Sequence, residues 1–278
     1  MRAANLLVSL FGIAGVLIAA VMAWRWRNTP LLVEEPVVVT SGSAALEGLH
    51  TLAVAVSAGV LAGVLVPGLG GRLVMRILAA TSGDAAQGSA TAADEVVGEI
   101  TNSGTLAVVV FVGIFGGVIA ALAFVVVRRW LPTTAGRAGV VIGVLLLGTI
   151  GVGDAMSPDN RDFAILRPTW LAITLVVVVA MLFGVTFTAL AARLEAGMPT
   201  LSRRPSSIAS HVALIIFLFP LLFVGAAAYV GGRAVVRGRL ALLIDRPTAQ
   251  RVGHTIVGVA TVVAALASIQ AITEIVSA

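Results

Sequence analysis

Seven long apolar stretches, separated by shorter polar segments, are the feature of this sequence that most restricts its fold. Each is about long enough to cross a hydrocarbon layer roughly 30 Å thick as a helix that rises about 1.5 Å per residue. The stretches are residues 6–24, 51–66, 105–127, 139–156, 171–192, 212–230 and 255–272. They predict an all-α, polytopic transmembrane helical bundle of about seven spans, within a range of six to eight. Residues 1–278 then form a single integral membrane domain.

The composition agrees with a protein that is embedded in a bilayer. The chain is 59% hydrophobic and only 11% charged, whereas soluble proteins carry about 25% charged residues. All four Trp stand at the ends of apolar stretches, as in the aromatic belts at membrane interfaces. The first stretch also resembles a signal peptide, but Arg25 and Arg27 directly after it favour a retained first helix.

Residue types that are missing exclude several cofactors. All 18 basic residues are Arg, and without Lys the chain has no P-loop nucleotide site and no covalent retinal. Without Cys it has no Fe–S cluster and no c-type haem. The Arg residues lie beside apolar stretches instead of in a soluble basic patch. This placement predicts membrane lipids, and not nucleic acid, as partners.

Small residues recur at four-residue spacing on the apolar stretches. Such pairs let helix backbones approach closely where no hydrophobic effect separates the protein interior from lipid. The pairs are Gly59 and Gly63, Gly113 and Gly117, and Gly139 and Gly143. They predict close packing between helices of one bundle, in preference to a dimer interface.

An alternating path through seven spans divides the Arg residues unevenly between the two sides. Ten Arg, among them Arg72, Arg161 and Arg251, fall on the side of the N-terminus, and eight, among them Arg128, fall on the other. Because cytoplasmic loops are richer in Lys and Arg, this difference weakly favours an N-terminus inside the cell.

The longest predicted loop, residues 67–104, carries charged side chains in two patterns. The first is G-G-R-x-V-x-R, which contains Arg72 and Arg76 and recurs after the sixth stretch with Arg233 and Arg237. Arg residues four apart share one face of a helix, so each copy predicts a short interfacial helix that turns Arg toward lipid headgroups. Two ordinary helices with anchoring Arg residues are the favoured explanation of the pattern.

The second pattern follows Thr91, whose hydroxyl is positioned to cap a helix over residues 92–100. That helix would carry Asp94, Glu95 and Glu99, which can pair with the Arg residues of the first pattern or bind a cation. A solvated loop helix is the simpler alternative, because acids in a first turn also stabilise the helix dipole. The charged side chains of both patterns are the candidate ligand-binding residues.

A third polar segment follows the fourth apolar stretch and is rich in oxygen ligands. Asp154, Asp159 and Asp162 lie within nine residues of one another, and carboxylates are preferred by Ca²⁺ and Mg²⁺. They are therefore candidate metal ligands. The sequence S-P-D-N at residues 157–160 is also a strong turn signal, and turn formation is the favoured interpretation.

Four motifs resemble a group of uncharacterised multi-pass membrane proteins from high-GC, actinobacterial-type bacteria. They are P-G-L-G-G-R-L-V-M-R at 67–76, E-V-V-G-E-I-T at 95–101, R-R-W-L-P at 128–132 and P-D-N-R-D-F at 158–163. The resemblance covers roughly residues 50–195 and implies a location in the bacterial plasma membrane. It supplies no activity and no catalytic residues, but it draws attention to the loops around Arg72, Glu99 and Asp159.

Three classes of function remain open from the sequence. The leading one is non-enzymatic: the binding or passage of a lipid or small solute, since charged loop segments border glycine-rich spans. An accessory subunit of a larger membrane complex fits the small loops equally well. The third is an intramembrane lipid enzyme that uses Asp154, Asp159 or Glu99 with a metal ion. Because no catalytic set is recognisable, the sequence leans away from an enzyme.

Overall fold

The computed structural model describes residues 2–31, 41–92, 95–99, 101–197 and 247–277. Within these ranges the chain is helical and contains no strand, apart from two isolated β-bridges. The predicted helical fold is therefore confirmed. The sixth apolar stretch, residues 212–230, lies outside the described residues, as do the candidate site residues Asp94, Arg233 and Arg237.

The helices are α1 (Arg2–Trp26), α2 (Ser41–Gly63), α3 (Gly71–Thr81), α4 (Asn102–Ala107), α5 (Gly116–Val127), α6 (Ala135–Leu146), α7 (Asp162–Ile165), α8 (Thr169–Gly197) and α9 (Pro247–Ser277). The π-helical segment Val64–Gly70 joins α2 to α3, Val108–Phe115 joins α4 to α5, and Leu147–Gly151 extends α6.

In the part of the chain that the structure describes, five continuous helical stretches are long and apolar enough to cross a membrane. They are Leu7–Trp26, His50–Thr81, Asn102–Trp130, Thr169–Gly197 and Pro247–Ser277. Ala135–Gly151 is apolar but shorter. These stretches are compatible with membrane residence, while a total of about seven spans stays a prediction.

Glycine contacts pair the helices. A Cβ atom on Gly59 would collide with the carbonyl oxygen of Gly117, and one on Gly63 would collide with the carbonyl oxygen of Gly113. These two contacts join α2 to the helix that contains α5. The predicted role of these glycines in packing helices of one chain is confirmed.

A second glycine pair joins α6 to α8. A Cβ atom on Gly143 would lie 2.9 Å from the carbonyl oxygen of Ala180, and one on Gly184 would lie 2.7 Å from the backbone nitrogen of Gly143. Gly139 meets the same helix, since its Cβ would lie 2.6 Å from the Thr188 hydroxyl. The fold is thus built on two tightly packed helix pairs.

Aromatic rings connect the two pairs. The rings of Phe124 on α5 and Phe187 on α8 meet edge to face at 5.1 Å between centroids, and Phe183 stacks on Phe187 at 5.9 Å. All three are buried in the main hydrophobic core. Helix α1 covers this core from the side, where the Thr186 hydroxyl donates a hydrogen bond of 3.3 Å to the carbonyl oxygen of Ala19.

The bundle has two ends, which are here called the Arg128 end and the Arg72 end. At the Arg128 end, the Arg128 guanidinium donates to the Glu195 carboxylate at 3.3 Å. The backbone nitrogen of Gly136 also donates to the carbonyl oxygen of Arg27 at 2.7 Å. At the Arg72 end, the Ser82 hydroxyl accepts a hydrogen bond of 2.8 Å from the backbone nitrogen of Arg167.

Helix α9 runs in the direction opposite to that predicted. Gly253, near its start, lies against the Trp130 ring at the Arg128 end, and Ile275, near its end, clusters with Met156 and Ile173 at the Arg72 end. Arg251 is therefore on the side of Arg128, and its predicted placement beside Arg72 and Arg161 is wrong. The prediction assumed one crossing between α8 and α9, but α8 ends at the same end of the bundle where α9 begins.

The second long apolar stretch continues further than predicted. Residues 67–80 do not form a loop with a separate helix, because α2 runs through Val64–Gly70 directly into α3. The short helix predicted to carry Arg72 and Arg76 is present, but it forms the last turns of the continuous helix His50–Thr81. Its glycines keep helical dihedral angles because neighbouring helices pack on them: a Cβ on Gly70 would lie 2.9 Å from the Val16 side chain.

Gly63→Ala tests the glycine contact between α2 and α5. The new Cβ would collide with the Gly113 backbone, and overpacking of this kind costs about 1–3 kcal/mol. We expect a lower thermal unfolding temperature in detergent. Gly258→Ala is the control, since nothing lies within 4 Å of its Cβ position; there, alanine should leave stability unchanged or raise it slightly. Equal stabilities of the two variants would contradict the contact.

The direction of α9 can be tested by labelling single cysteines, because the natural chain has none. Asn28→Cys and Thr248→Cys lie at the Arg128 end, and Asp84→Cys and Asp159→Cys lie at the Arg72 end; all four positions are exposed. We expect an impermeant maleimide to label the first two from one side of intact vesicles and the last two from the other. Labelling of Thr248→Cys together with Asp84→Cys would restore the original prediction.

Candidate ligand-binding cavity

A cavity of about 670 Å³ lies between the two helix pairs at the Arg72 end. Its walls come from α3, from the helix containing α4 and α5, from the end of α6, and from α8. Residues of all three π-helical segments border it, including Pro67, Val112 and Ile150. Proline cannot donate to the helical ladder, and π-helical turns occur often at functional sites.

The body of the cavity is apolar. Phe183 of the aromatic core borders it. The other apolar residues that line the cavity include Val108, Val112, Gly116, Leu146, Leu147, Val176, Val179 and Ala180. Such walls offer water few hydrogen-bond partners, so the space is suited to a hydrocarbon chain.

Arg72 is the buried charge of the cavity. It projects from the first turn of α3 and is only 5% exposed. Its Nη1 atom lies 3.6 Å from the Met75 sulfur, while Nε and Nη2 are buried and have no hydrogen-bond partner. An unpaired guanidinium in an apolar environment costs at least about 2.5 kcal/mol on insertion scales. Its two free donors are therefore the strongest ligand-binding feature in the described chain.

Glu95 brings the opposite charge to the same place. A Cβ atom on Gly104 would touch the Glu95 carboxylate and would lie 2.5 Å from Nη2 of Arg72. The missing side chain of Gly104 thus leaves the space in which the two groups meet. Glu95 is an acid whose charge acts on Arg72, although the two side chains do not hydrogen-bond. The sequence predicted that Arg72 and Glu95 pair. The structure supports this in part, because the two side chains lie close together.

Three further charged side chains border the polar end of the cavity. Arg76 lies one turn after Arg72 and is half-buried, and Glu99 is exposed. Asp162 is half-buried and accepts a hydrogen bond of 2.7 Å from the backbone nitrogen of Ala92. Four of the predicted ligand-binding residues are therefore brought together, namely Arg72, Arg76, Glu95 and Glu99.

The predicted helix over 92–100 is wrong for the residues that the structure describes. The chain instead turns back on itself, with a bridge between Ala90 and Val96 and a hydrogen bond of 2.8 Å from Thr91 nitrogen to Glu95 oxygen. The Thr91 hydroxyl accepts from the Glu95 nitrogen at 3.2 Å, so it closes a turn and does not cap a helix. Gly98 has a φ of 90°, which a helix cannot accommodate.

Polar contacts fix this turn, residues 88–99, over the cavity. Arg161 donates to the Thr91 carbonyl oxygen, and Asp162 accepts from Ala92. On the other side, the Gln87 amide donates to the Ala79 carbonyl oxygen at 2.8 Å, which attaches the turn to α3. The loops that the resemblance drew attention to therefore meet at one end of the bundle.

The three candidate metal ligands take part in turns instead. Asp159 nitrogen donates to the Ser157 hydroxyl at 3.4 Å, and Asn160 donates to the Asp154 carbonyl oxygen at 3.3 Å. Among the described residues no three His, Asp or Glu side chains are grouped closely enough to hold a metal ion. The structure does not bring Asp154, Asp159 and Asp162 together as a ligand set, which agrees with the turn interpretation.

Several residues of the cavity were not identified from the sequence. Met75 and Phe183 contribute through their positions in the packed bundle. Gly104 could have been noticed from its position three residues after Thr101, a residue type that often caps helices. The Thr101 hydroxyl accepts a hydrogen bond of 3.1 Å from the Gly104 nitrogen and caps α4. Gly71 also lines the cavity, but its backbone nitrogen donates within the helix that joins α2 to α3.

Comparisons of the chain with protein-family models, with curated proteins and with solved structures found no match.

Asp162→Ala tests the attachment of the turn over the cavity. The variant removes the acceptor for the Ala92 nitrogen, and one such hydrogen bond contributes about 0.5–3 kcal/mol. We expect faster amide hydrogen exchange in residues 88–99, with α6 and α8 unchanged. Asp159→Ala is the matched control, since its exposed carboxylate accepts no hydrogen bond from the described residues. Equal exchange in both variants would show that Asp162 does not hold the turn.

Proposed function

We propose that this chain is a protein of the bacterial plasma membrane that binds a lipid in the cavity between its two helix pairs, without catalysing a reaction. The single observation that carries this proposal is the combination of an apolar cavity with a buried Arg72 at one end, whose Nε and Nη2 atoms have no hydrogen-bond partner. A lipid has the same division into a hydrocarbon part and a polar headgroup.

The size and position of the cavity support a lipid over a soluble compound. Its volume of about 670 Å³ falls within the roughly 300–1,000 Å³ of typical ligand sites. Val112 and Ile150 line it and are also 51% and 57% exposed, so the cavity opens toward the outer surface of the bundle. A hydrocarbon chain can enter there directly from the bilayer.

The outer surface of the bundle supports the membrane location. Large apolar side chains are exposed along α1 and α9, including Phe11 at 61% and Ile256 at 62%. In water such a surface would drive aggregation, whereas hydrocarbon covers it at no cost. The exposed rings of Trp24 and Trp170 lie at opposite ends of the bundle, as interfacial belts do.

Gly116→Phe tests lipid binding in the cavity. Gly116 lines the cavity and nothing lies within 4 Å of its Cβ position, so a phenyl ring fills the space without a backbone collision. We expect at least a tenfold loss of co-purified lipid, about 1.4 kcal/mol, measured by native mass spectrometry. Gly258→Phe is the control, because its Cβ position is also open and it does not line the cavity.

Two results would count against lipid binding. Equal lipid retention by both phenylalanine variants would show that the retained lipid sits elsewhere. A protein partner that co-purifies in a fixed ratio, with no lipid in the cavity, would favour the alternative function as an accessory subunit.

A further inference from the structure

The polar end of the cavity presents two unlike charges that are both available to a ligand. Nε and Nη2 of the buried Arg72 have no hydrogen-bond partner. The Glu95 carboxylate borders the same space at Gly104, and it accepts no hydrogen bond from the described residues. A ligand that satisfies both groups must carry a hydrogen-bond acceptor and a hydrogen-bond donor a short distance apart.

The free atoms of Arg72 define the acceptor. The Nε–H and Nη2–H bonds lie on one edge of the planar guanidinium group and point in parallel. That edge matches two oxygens of a phosphate or carboxylate, which it binds with two hydrogen bonds. The opposite edge is occupied, since Nη1 contacts the sulfur of Met75. Arg72 therefore offers one site for one oxyanion.

The charges around this site restrict the rest of the headgroup. Among the described residues that line the cavity, Arg72 and Arg76 are positively charged, and Glu95, Glu99 and Asp162 are negatively charged. A headgroup with only negative charge would add to the acidic excess, and its phosphate would lie beside the Glu95 carboxylate. A headgroup that also carries an ammonium group gives Glu95 a partner and leaves the local charge unchanged.

We infer that the lipid is a phospholipid with a zwitterionic headgroup that joins a phosphate to a primary ammonium group. The phosphate oxygens bind Nε and Nη2 of Arg72, the ammonium donates to Glu95, and the acyl chains fill the apolar part of the cavity. A primary ammonium has three N–H donors for the Glu95 carboxylate, which a quaternary ammonium lacks. This inference rests on the proposed lipid-binding function.

The test is a competition between two lipids with identical acyl chains. The full chain is incubated in detergent with equimolar phosphatidylethanolamine and phosphatidylglycerol, and bound lipid is measured by native mass spectrometry. We expect about tenfold enrichment of phosphatidylethanolamine, the ratio given by one charge-assisted hydrogen bond. Equal binding, or a preference for phosphatidylglycerol, overturns the inference.

Variants assign the preference to the two residues. Glu95→Gln should abolish the preference for phosphatidylethanolamine while total bound lipid stays within about twofold. Arg72→Lys keeps the charge but loses the two-pronged geometry, so binding of both lipids should fall together. Asp159→Asn, an exposed acid at the same end that does not line the cavity, should behave as the natural chain. An undiminished preference in Glu95→Gln contradicts the inference even if Arg72→Lys fails to fold.

Soluble probes separate the headgroup from the whole lipid. Inorganic phosphate and phosphoethanolamine, each at millimolar concentration, should not displace the bound lipid, because neither fills the apolar part of the cavity. Displacement by either probe would assign the site to a soluble phosphate compound. If Gly116→Phe loses lipid but the natural chain shows no headgroup preference, lipid binding stands and only the zwitterionic assignment fails.

Discussion

Direct backbone contact between glycines is the interaction on which this fold depends. Gly59 and Gly63 meet Gly117 and Gly113 with no side chain between them. Helices in a membrane gain no hydrophobic energy by leaving lipid, so close van der Waals contact must hold them together. The same solution recurs between α6 and α8. Two such pairs give a rigid frame, and the unfilled space between them becomes the cavity.

The cavity exists at one end because the other end is filled. Phe124, Phe183 and Phe187 connect the two pairs in the core, and Arg128 binds Glu195 beyond them. At the Arg72 end about half of the residues that border the corresponding space are glycine, valine or alanine, which leave part of it unfilled. A difference in side-chain volume along the same helices thus produces a closed end and an open end.

The two buried Arg residues show opposite solutions to the cost of burying a charge. Arg128 has a carboxylate partner at 3.3 Å, so its role is structural. Arg72 is equally inaccessible, but two of its donors have no partner. A buried charge that lacks a partner destabilises the protein unless another group compensates it. The lipid headgroup that we propose for this site would supply that group, and Glu95 would discriminate among headgroups.

The sequence by itself determined the helical class, the glycine pairs and the charged residues of the site, because all three follow from local composition and spacing. A long apolar stretch predicts a long helix, and glycines four apart share one helix face. The closeness of Arg72 and Glu95 could also be predicted from the sequence, since opposite charges in one predicted loop attract each other.

The tertiary structure alone decided the continuous helix through Val64–Gly70, the turn over 88–99, the direction of α9 and the cavity. Each of these depends on which distant surfaces pack together: Gly70 stays helical because Val16 lies against it, and Gly253 fixes α9 beside Trp130. Contacts of this kind leave no local pattern in the sequence, because their energy is set by shape across the bundle and not by neighbours along the chain.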